Sequence, residues 1–366
     1  MKMKILNCWK RLWGEIKMKE IKIGDKFVGD GHPCLIIAEA GINHQGDVNI
    51  AKKLIDVASF CGADAIKFQK RKIGRILTKQ GLDMPYDNPN SFGKTYGEHK
   101  YALELSEEEY KDLKKYTEDK NLIFLASAWD EESADFLESI GVAAYKMASA
   151  DLTNLPLLEH IAKKGKPMII STGMATMKDV DEALNHVKKW NNQIILLQCT
   201  STYPCNFEEV NLNVIKTFKE KFGCLVGYSG HEKGIAVSSV AVALGASVIE
   251  KHLTLDRTMK GGDHAASLEP EGLRRIVRDV RFIEKAMGKY EKELQKSEIP
   301  IKEKLAKSLV AKVDIPKGII ITKDMLTTKG PGTGLPPKHF YTVSGKKSAT
   351  NIPGDSVIKE GDIEWN

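Results

Sequence analysis

The chain has 366 residues, which predicts one large domain with a full hydrophobic core and a smaller second domain. Hydrophobic residues make up 42% and charged residues 28% of the chain, as in ordinary soluble proteins, and no stretch approaches the roughly 18 apolar residues of a membrane span. The net charge of +6 is spread along the chain without a dense basic stripe, which argues against nucleic-acid binding and favours a basic site for anionic substrates.

The six cysteines include no CxxC pair, so neither a disulfide framework nor a structural zinc site is expected, and a reducing cytoplasm is implied. Residues 1–19 are basic and lack the continuous apolar core of a signal peptide. We interpret them as an N-terminal extension, because Met18 immediately precedes the first regular pattern. Whether residues 1–17 belong to the native protein is left open by the sequence.

Regular elements begin at Glu20, where polar and apolar residues alternate around a Gly-Asp turn, and this predicts a hairpin that could close the bottom of the following domain. Eight short apolar runs then alternate with helical segments, one of which, ALELSEEEYKDLKKYTEDKN, has a Ser N-cap followed three residues later by Glu. The eight predicted strands cover residues 34–38, 63–68, 122–126, 143–147, 167–170, 193–197, 224–228 and 246–249.

Eight βα units fit a (β/α)8 TIM barrel, although such units can also form an open parallel sheet. Two features favour the barrel: no GxGxxG follows the first strand, and polar residues follow nearly every strand. We therefore predict that residues 20–288 form an α/β barrel domain that begins with the hairpin. A charged linker at 289–303 and a small, loop-rich domain at 304–366, rich in Pro and Gly, complete the chain.

Polar side chains recur at the predicted strand ends, where a buried parallel strand should be apolar. Each of these polar side chains has an ordinary structural explanation: a helix cap, a lysine extended to solvent or a buried histidine with hydrogen-bond partners. It is improbable that such explanations apply independently at all eight strand ends of one barrel mouth. The set comprises Glu39, Lys67 with Gln69, Ser127, Lys146 with Ser149, Ser171 with Thr172, Gln198 with Thr200, Ser229 with His231, and Glu250 with His252.

This set predicts two kinds of chemistry. Lys67, Lys146 and the serine hydroxyls suit a phosphorylated or carboxylated anion. His231 and His252 follow adjacent strands about 4.8 Å apart, so both could reach one divalent cation, Mn²⁺ or Mg²⁺ among others, with water, substrate or Glu250 completing its shell. Glu39 is then the candidate carboxylate for a substrate proton.

Nine ordered motifs carry a resemblance to the sialic acid synthase family: IIAEAGINHQGD, DAIKFQK, GKTYGEHK, AAYKMASAD, ISTGMAT, LQCTSTYP, VGYSGHE, VIEKHLTLD and GGDHAASLEP. It runs from about Ile21 to the C-terminus, where the last domain resembles the family's antifreeze-like (SAF) domain. The resemblance implies a transferase that condenses phosphoenolpyruvate with N-acetylmannosamine or its 6-phosphate, and a domain-swapped homodimer.

The resemblance also implies roles for individual residues. It gives the essential glutamate as Glu39, the metal ligands as His231 and His252, and sugar contacts as Gln69, Tyr203 and Asp263. The implied phosphoenolpyruvate contacts are Lys67, Ser127, Lys146, Ser149, Ser171, Ser201 and Ser229.

The chain departs from the bacterial free-sugar enzymes of the family at several positions. Ser201 replaces an Asn and Ser127 a Thr, and both replacements keep a hydrogen-bonding group. Where those enzymes have KRPG, with an Arg that reaches the partner's sugar site, this chain reads Lys329-Gly330-Pro331-Gly332, which puts that contact in doubt.

The motif GKTYGEHK resembles the animal-type branch, which takes a 6-phosphorylated sugar. Its Lys94 and Lys100 supply positive charge that a sugar phosphate needs, although the same residues could form a solvated basic loop.

Other functions stay open at this stage. A Schiff-base aldolase could use Lys67 or Lys146 as nucleophile. The last domain alone would suit a carbohydrate- or ice-binding protein. Within the synthase reading, the acceptor could be a mannosamine derivative, a diamino sugar of the kind that leads to legionaminic or pseudaminic acid, or mannose 6-phosphate.

Overall fold

The computed structural model describes residues 19–365, which form two compact units, the first ending at Gly288 and the second beginning at Lys289. The extension predicted at residues 1–19 lies outside the described residues except for Lys19. The first unit contains a hairpin, β1 (Glu20–Ile23) and β2 (Lys26–Gly29), and eight strands, β3 (Leu35–Gly41), β4 (Ala65–Lys70), β5 (Ile123–Ala128), β6 (Tyr145–Met147), β7 (Met168–Ser171), β8 (Ile194–Cys199), β9 (Leu225–Gly230) and β10 (Val248–His252).

The helices of the first unit lie between these strands and after the last one. They are α1 (Val48–Phe60), α2 (Ile73–Ile76), α3 (Lys79–Asp83), α4 (Tyr96–Ala102), α5 (Glu107–Asp119), α6 (Glu131–Ser139), α7 (Leu155–Ala162), α8 (Met177–Val187), α9 (Asn213–Phe222), α10 (Ala236–Ala243) and α11 (Pro270–Met287). Three 3₁₀ turns, Ser149–Asp151, Phe207–Glu209 and His264–Ala266, lie in loops that follow strands.

Strands β3 to β10 pair in parallel and in chain order, and β10 pairs with β3, which closes the predicted barrel. Every predicted apolar run overlaps a strand. Seven of the eight strands continue one to three residues past the predicted end, the exception being Tyr145–Met147. The extra residues are mostly the polar ones, because the barrel mouth gives their side chains partners that an isolated strand would lack.

Side chains on each barrel strand alternate between the interior and the helix layer. The interior is filled towards the amino ends of the strands by aliphatic side chains. Ile23 and Val28 of the hairpin belong to the same buried cluster, so the hairpin covers this end of the barrel. The end of the barrel that is free to form a cavity is therefore the one at the carboxyl ends of the strands.

Local sequence signals account for where the helices begin. Helix α5 starts after Ser106, whose side chain forms a capping box with Glu109 as the sequence predicts. Helix α8 starts in the same way, with Thr176 and Asp179, and buries an apolar face against the barrel. No helix in residues 19–365 is long and apolar enough to cross a membrane.

The second unit consists of short strands and turns around its own apolar core. Its strands are β11 (Ser308–Ala311), β12 (Leu326–Lys329), β13 (Lys347–Ser348) and β14 (Ile363–Glu364), and its helices are α12 (Ile299–Leu305) and α13 (Phe340–Val343). The predicted linker is not wholly irregular, because a 3₁₀ turn, Lys296–Glu298, leads into α12. Gln295 and Glu298 form a capping box at the start of this turn.

Candidate active site

A cavity of about 230 Å³ opens at the carboxyl ends of the barrel strands. It brings together thirteen of the nineteen residues named from the sequence: Glu39, Lys67, Gln69, Ser127, Lys146, Ser149, Ser171, Ser201, Tyr203, Ser229, His231, Glu250 and His252. The parallel register explains the convergence, since Glu39 pairs with both Lys67 and His252 across neighbouring strands. Trp129 and Cys199 also line the cavity, whereas Thr172, Gln198 and Thr200 line a neighbouring cavity of about 650 Å³.

Two lysines and two carboxylates form a buried charge cluster on the floor of the cavity. Lys67 Nζ lies 3.0 Å from Glu39 Oε2 and 3.4 Å from Glu250 Oε2. Lys146 Nζ lies 3.5 Å from Glu250 Oε1. Glu250 therefore links the two ammonium groups, a role that the sequence reading did not assign to it.

Serine hydroxyls surround this cluster. Lys67 Nζ donates to Ser127 Oγ at 3.2 Å, and Lys146 Nζ donates to Ser171 Oγ at 2.7 Å. Ser229 Oγ donates to Glu250 Oε1 at 3.0 Å. Two cations with hydroxyl groups beside them can bind an anion that carries both a phosphate and a carboxylate.

The cluster shifts the pKa values of its members in different directions. Burial raises the pKa of Glu39 to about 7, although Lys67 acts against the shift. Burial would also raise the pKa of Glu250, but Lys146 and Lys67 outweigh it and hold that pKa at about 2. Burial alone would lower the pKa of Lys67, but Glu250 and Glu39 raise it above its ordinary value. Glu39 is thus the carboxylate that can exchange a proton near neutral pH.

The two histidines lie side by side, with ring centroids 5.3 Å apart. His231 Nδ1 donates to the carbonyl oxygen of Thr200 at 2.7 Å, because a carbonyl can only accept, and this tautomer leaves Nε2 with a lone pair. His252 Nδ1 is buried without a hydrogen-bond partner and lies 3.8 Å from Asp263 Oδ2.

These donors fit an open divalent-metal site. One imidazole is oriented by a backbone carbonyl, as is common for metal ligands, and the second has an unsatisfied nitrogen. Within residues 19–365, no group of three or more His, Cys, Asp or Glu side chains is arranged to enclose a metal. Water and substrate would have to complete the shell, as in catalytic rather than structural sites.

Asp263 lies beside the cavity rather than in its wall. A Cβ atom on Gly41 would come 3.2 Å from Glu39 Oε1, 3.4 Å from Gln69 Nε2 and 3.5 Å from Asp263 Oδ2. Gly41 has φ of 54°, which glycine adopts without strain, and its missing side chain lets these three polar groups converge. Asp263 is thus near the histidine side of the cavity, and its role as a sugar contact stays a prediction.

The structure separates the two lysines of the GKTYGEHK loop. Lys100 lines a second cavity of about 620 Å³, which shares Trp129 and Ala150 with the first. Its Nζ lies 4.9 Å from the centre of the Tyr96 ring, and burial, helped by the charge of Arg71, lowers the pKa of Lys100 to about 8. Lys94 is exposed and lines neither cavity.

Arg71 was not singled out from the sequence. Its side chain is buried, its Nε donates to Glu104 Oε2 at 3.0 Å, and its Nη2 has no hydrogen-bond partner. It follows β4 directly, so a pair of cations, Lys70 and Arg71, at the end of a buried strand was the available signal.

Comparison with known proteins places the chain in a family. The model of the NeuB family matches residues 54–292 and that of the SAF domain matches residues 306–364. The chain is 48% identical to N-acetylneuraminate-9-phosphate synthase of Homo sapiens, covering 92% of this chain and 94% of that protein. It is 43% identical to N,N'-diacetyllegionaminic acid synthase of Campylobacter jejuni, covering 89% of this chain and 99% of that protein.

A solved structure agrees with this placement. The N-acetylneuraminic acid (sialic acid) synthetase of Leptospira borgpetersenii, crystallised in complex with citrate, is 37% identical with a TM-score of 0.69, and the match covers 78% of this chain and 96% of that one. By these matches and by its own barrel, the chain belongs to the NeuB family of sialic acid synthases, phosphoenolpyruvate-dependent transferases, with a C-terminal SAF domain.

Proposed function

We propose that this enzyme condenses phosphoenolpyruvate with N-acetylmannosamine 6-phosphate to give N-acetylneuraminate 9-phosphate and inorganic phosphate. The observation that carries the proposal is the Lys67–Glu250–Lys146 cluster at the barrel mouth, where two ammonium groups lie within 3.5 Å of one carboxylate. Relatives with this activity in their names support the reaction class.

Phosphoenolpyruvate binds through the two lysines in this proposal. Lys67 and Lys146 neutralise its phosphate and carboxylate, and hydroxyls such as Ser127 and Ser171 fill the remaining oxygen positions. The charge of Lys67 is maintained by Glu39 and Glu250, so this ammonium is available for an anion and is a poor Schiff-base nucleophile. The cluster therefore disfavours Lys67 as the aldolase nucleophile, whereas burial lowers the pKa of Lys146, so the borohydride test decides the matter for Lys146.

Carbon-carbon bond formation joins C3 of phosphoenolpyruvate to the aldehyde carbon of the open-chain sugar. A divalent cation, Mn²⁺ or Mg²⁺, held by His231 and His252 would supply Lewis-acid polarisation of that aldehyde. Water adds at C2, and the tetrahedral carbon then expels phosphate as the keto group forms. Glu39, with its pKa near 7, accepts a proton from the attacking water or a substrate hydroxyl.

The phosphate of the sugar is assigned to the side of the site near Lys100. This ammonium has no salt bridge among the described residues, and the unpartnered Arg71 Nη2 adds a second positive charge nearby. Within residues 19–365, Lys100 is thus a cation without an ion pair beside a cavity, which favours an anionic substrate group, whereas the charge of Arg71 is already paired with Glu104. Lys94, at the surface, has no such role.

Phosphate release tests the acceptor directly. The enzyme is supplied with phosphoenolpyruvate and, in parallel, N-acetylmannosamine, its 6-phosphate, mannose 6-phosphate and diamino sugars, with and without a chelator. We expect the 6-phosphate of N-acetylmannosamine to give the highest kcat/KM, and chelation to abolish turnover. A higher kcat/KM with a free sugar would overturn the phosphosugar assignment, and full activity with chelator would overturn the metal role.

Matched lysine variants sharpen this test. Lys100→Met should raise KM for the phosphosugar about tenfold, the equivalent of about 1.4 kcal/mol, without changing KM for phosphoenolpyruvate. Lys94→Met serves as the control from the same loop and should match the parent enzyme. Equal effects of the two substitutions would contradict the assignment of Lys100.

Borohydride treatment separates the synthase from the aldolase. An aldolase would be trapped covalently with its carbonyl substrate and would work in the presence of chelator. We expect no covalent adduct on Lys67 or Lys146 by mass spectrometry, and loss of activity with chelator.

The assembly and location belong to the same proposal. We propose a homodimer in which the SAF domain of one copy helps to close the sugar site of the other, in the cytoplasm, where the five described cysteines would keep their free thiols. Lys329, at the family's Arg position, pairs with Asp355 within its own domain. Light scattering would show a monomer if the dimer proposal were wrong.

A further inference from the structure

A second buried ion pair lies directly behind the two histidines. Lys251 stands between Glu250 and His252 in β10, so its side chain points away from the cavity that those two residues line. Lys251 Nζ donates to Glu232 Oε1 at 2.9 Å and to the carbonyl oxygen of Glu232 at 2.9 Å. Both side chains are almost fully buried, with relative exposures of 1% and 0%.

The carboxylate of Glu232 is held on its other side as well. The hydroxyl of Tyr228 donates to Glu232 Oε2 at 2.6 Å. A Cβ atom on Gly230 would come 2.5 Å from Glu232 Oε2, so the absence of a side chain there gives the carboxylate its space. The side-chain hydrogen bonds described for this pair thus all involve the segment 228–232, which contains His231.

The pair connects the residues adjacent to both histidines. Glu232 follows His231 after strand β9, and Lys251 precedes His252 in strand β10. The carbonyl of His231 in turn accepts from the backbone N–H of Cys205 at 3.0 Å, which holds the loop from the other side. A shift of either strand end would break the pair and change the separation of the two imidazoles.

Stability alone is a weak reason for such a pair. Removing two charges from water is costly, and apolar side chains of similar size often stabilise a fold as well or better. A buried pair does, however, allow one arrangement of the two segments where an apolar contact would allow several.

We infer that Glu232 and Lys251 are positioning residues that set the distance between His231 and His252 for a divalent cation. The inference rests on the metal site of the proposed function. It assigns to these residues no contact with substrate.

The barrel contains a matched control for this inference. Lys70 also ends a strand, also points outward, and pairs with Glu104 at 3.0 Å with a relative exposure of 4%. It flanks neither histidine. In a Lys70→Met variant Glu104 keeps its partner Arg71, so no carboxylate is left without a cation.

The test compares two variants with this control. The double variant Glu232→Gln, Lys251→Met removes both charges and leaves none unpaired, and Tyr228→Phe removes one hydrogen bond to Glu232. For each protein, Mn²⁺ affinity is titrated without substrate, phosphoenolpyruvate affinity is measured with chelator, and the melting temperature is recorded.

We expect Mn²⁺ affinity to fall 10- to 100-fold in the double variant, as for other residues that orient metal ligands. The fall in Tyr228→Phe should be about threefold, and Lys70→Met should bind Mn²⁺ like the parent protein. Phosphoenolpyruvate affinity should not change in any of them. Rescue of turnover by high Mn²⁺ in the double variant would further support the inference.

Three results would overturn it. The first is unchanged Mn²⁺ affinity in the double variant or, if that protein does not fold, in Tyr228→Phe. The second is a loss of Mn²⁺ affinity in Lys70→Met as large as that in the double variant. The third is a loss of phosphoenolpyruvate affinity that parallels the loss of Mn²⁺ affinity. A parent protein that binds no Mn²⁺ would refute the metal site and this inference together, whereas phosphate release by that same protein would show that the proposed reaction survives.

Discussion

The two ends of the barrel interior are made from the same strands but from opposite kinds of side chain. Towards the amino ends, interior positions such as Leu125 and Val248 are aliphatic and fully buried. Two residues further along the same strands, the corresponding positions are Ser127 and Glu250, which are equally buried but line the cavity.

Burial therefore has two different consequences within one barrel. At the amino end each aliphatic side chain contributes roughly 1.5–3 kcal/mol by leaving water. At the carboxyl end burial of charges costs free energy, which the ion pairs among Lys67, Lys146, Glu39 and Glu250 only partly offset. We conclude that the amino end holds the barrel together and that the carboxyl end is retained for its chemistry.

The largest effect we expect is on activity, from Lys146→Met at the carboxyl end. Loss of one buried cation from the phosphoenolpyruvate site should lower kcat/KM about 1000-fold, equivalent to about 4 kcal/mol. The melting temperature should change little, because Glu250 keeps its contact with Lys67. Steady-state phosphate release and calorimetry check both expectations.

The exposed Lys189 supplies the control for this substitution. Lys189→Met should leave both activity and stability unchanged. A loss below tenfold in Lys146→Met would place the substrate anion elsewhere.

The amino end should respond in the opposite way. Ile37→Ala removes a fully buried side chain from the interior cluster and should lower the free energy of unfolding by about 2–5 kcal/mol. Ile37 lies one layer below Glu39 in the same strand and does not line the cavity, so any fall in kcat/KM of the folded enzyme should be far smaller than that of Lys146→Met. Denaturant unfolding and phosphate release measure the two quantities.

Ile320→Ala offers the comparison at an exposed position in the SAF domain, and we expect a negligible effect on stability there. A drop in activity as large as that of Lys146→Met would show that the two ends are not independent.

The difference between the aliphatic and the polar ends of the strands also explains which features could be predicted from the sequence. The aliphatic runs marked all eight strands, and the parallel order placed their polar ends at one mouth, so Lys67, Lys146 and His231 could be grouped from the sequence. Strand ends were placed too early, because a buried polar residue is indistinguishable in sequence from the start of a loop. The hydrogen-bond or ion-pair partner of such a residue is visible only in the assembled barrel.

Loop residues set the limit of prediction. Lys94 and Lys100 are both lysines of the GKTYGEHK motif, so the sequence does not distinguish them. In the structure only Lys100 lines a cavity. The difference comes from helix α4, whose turn brings Lys100 over Tyr96. The sequence also could not predict that Glu250 pairs with both Lys67 and Lys146. Those contacts depend on how far the two lysine side chains extend across the barrel.

The pH dependence of turnover tests the charge cluster without changing its residues. Since burial raises the pKa of Glu39 to about 7, this carboxylate is protonated below pH 7 and cannot then accept a proton. We expect kcat/KM to fall about tenfold for each pH unit below about 7. Glu39→Gln should lower activity at every pH and remove this limb of the profile. An acid limb near the ordinary value of 4.5 would contradict the role of Glu39.

The smallest effect we expect concerns the stability cost of the polar end, at His44 in the loop after β3. Its ring is buried, and its Nδ1 accepts the backbone N–H of Gly46 at 3.1 Å, so the imidazole is neutral. Burial, helped by the charge of Arg71, lowers the pKa of His44 to about 3. The unfolded chain binds a proton below about pH 6.5 that the folded protein does not bind, so the free energy of unfolding falls as the pH drops through that range.

Between pH 7.5 and 5.0 this one histidine should therefore reduce the free energy of unfolding by about 2 kcal/mol. In His44→Asn, whose amide oxygen can still accept from Gly46, that part of the pH dependence should disappear. Ile37→Ala should keep the full pH dependence while being less stable at every pH, because the substitution removes no titratable group. If His44→Asn and the parent protein lose stability equally on acidification, the proton-linked cost does not lie at His44, and the division between the two ends of the barrel must be drawn elsewhere.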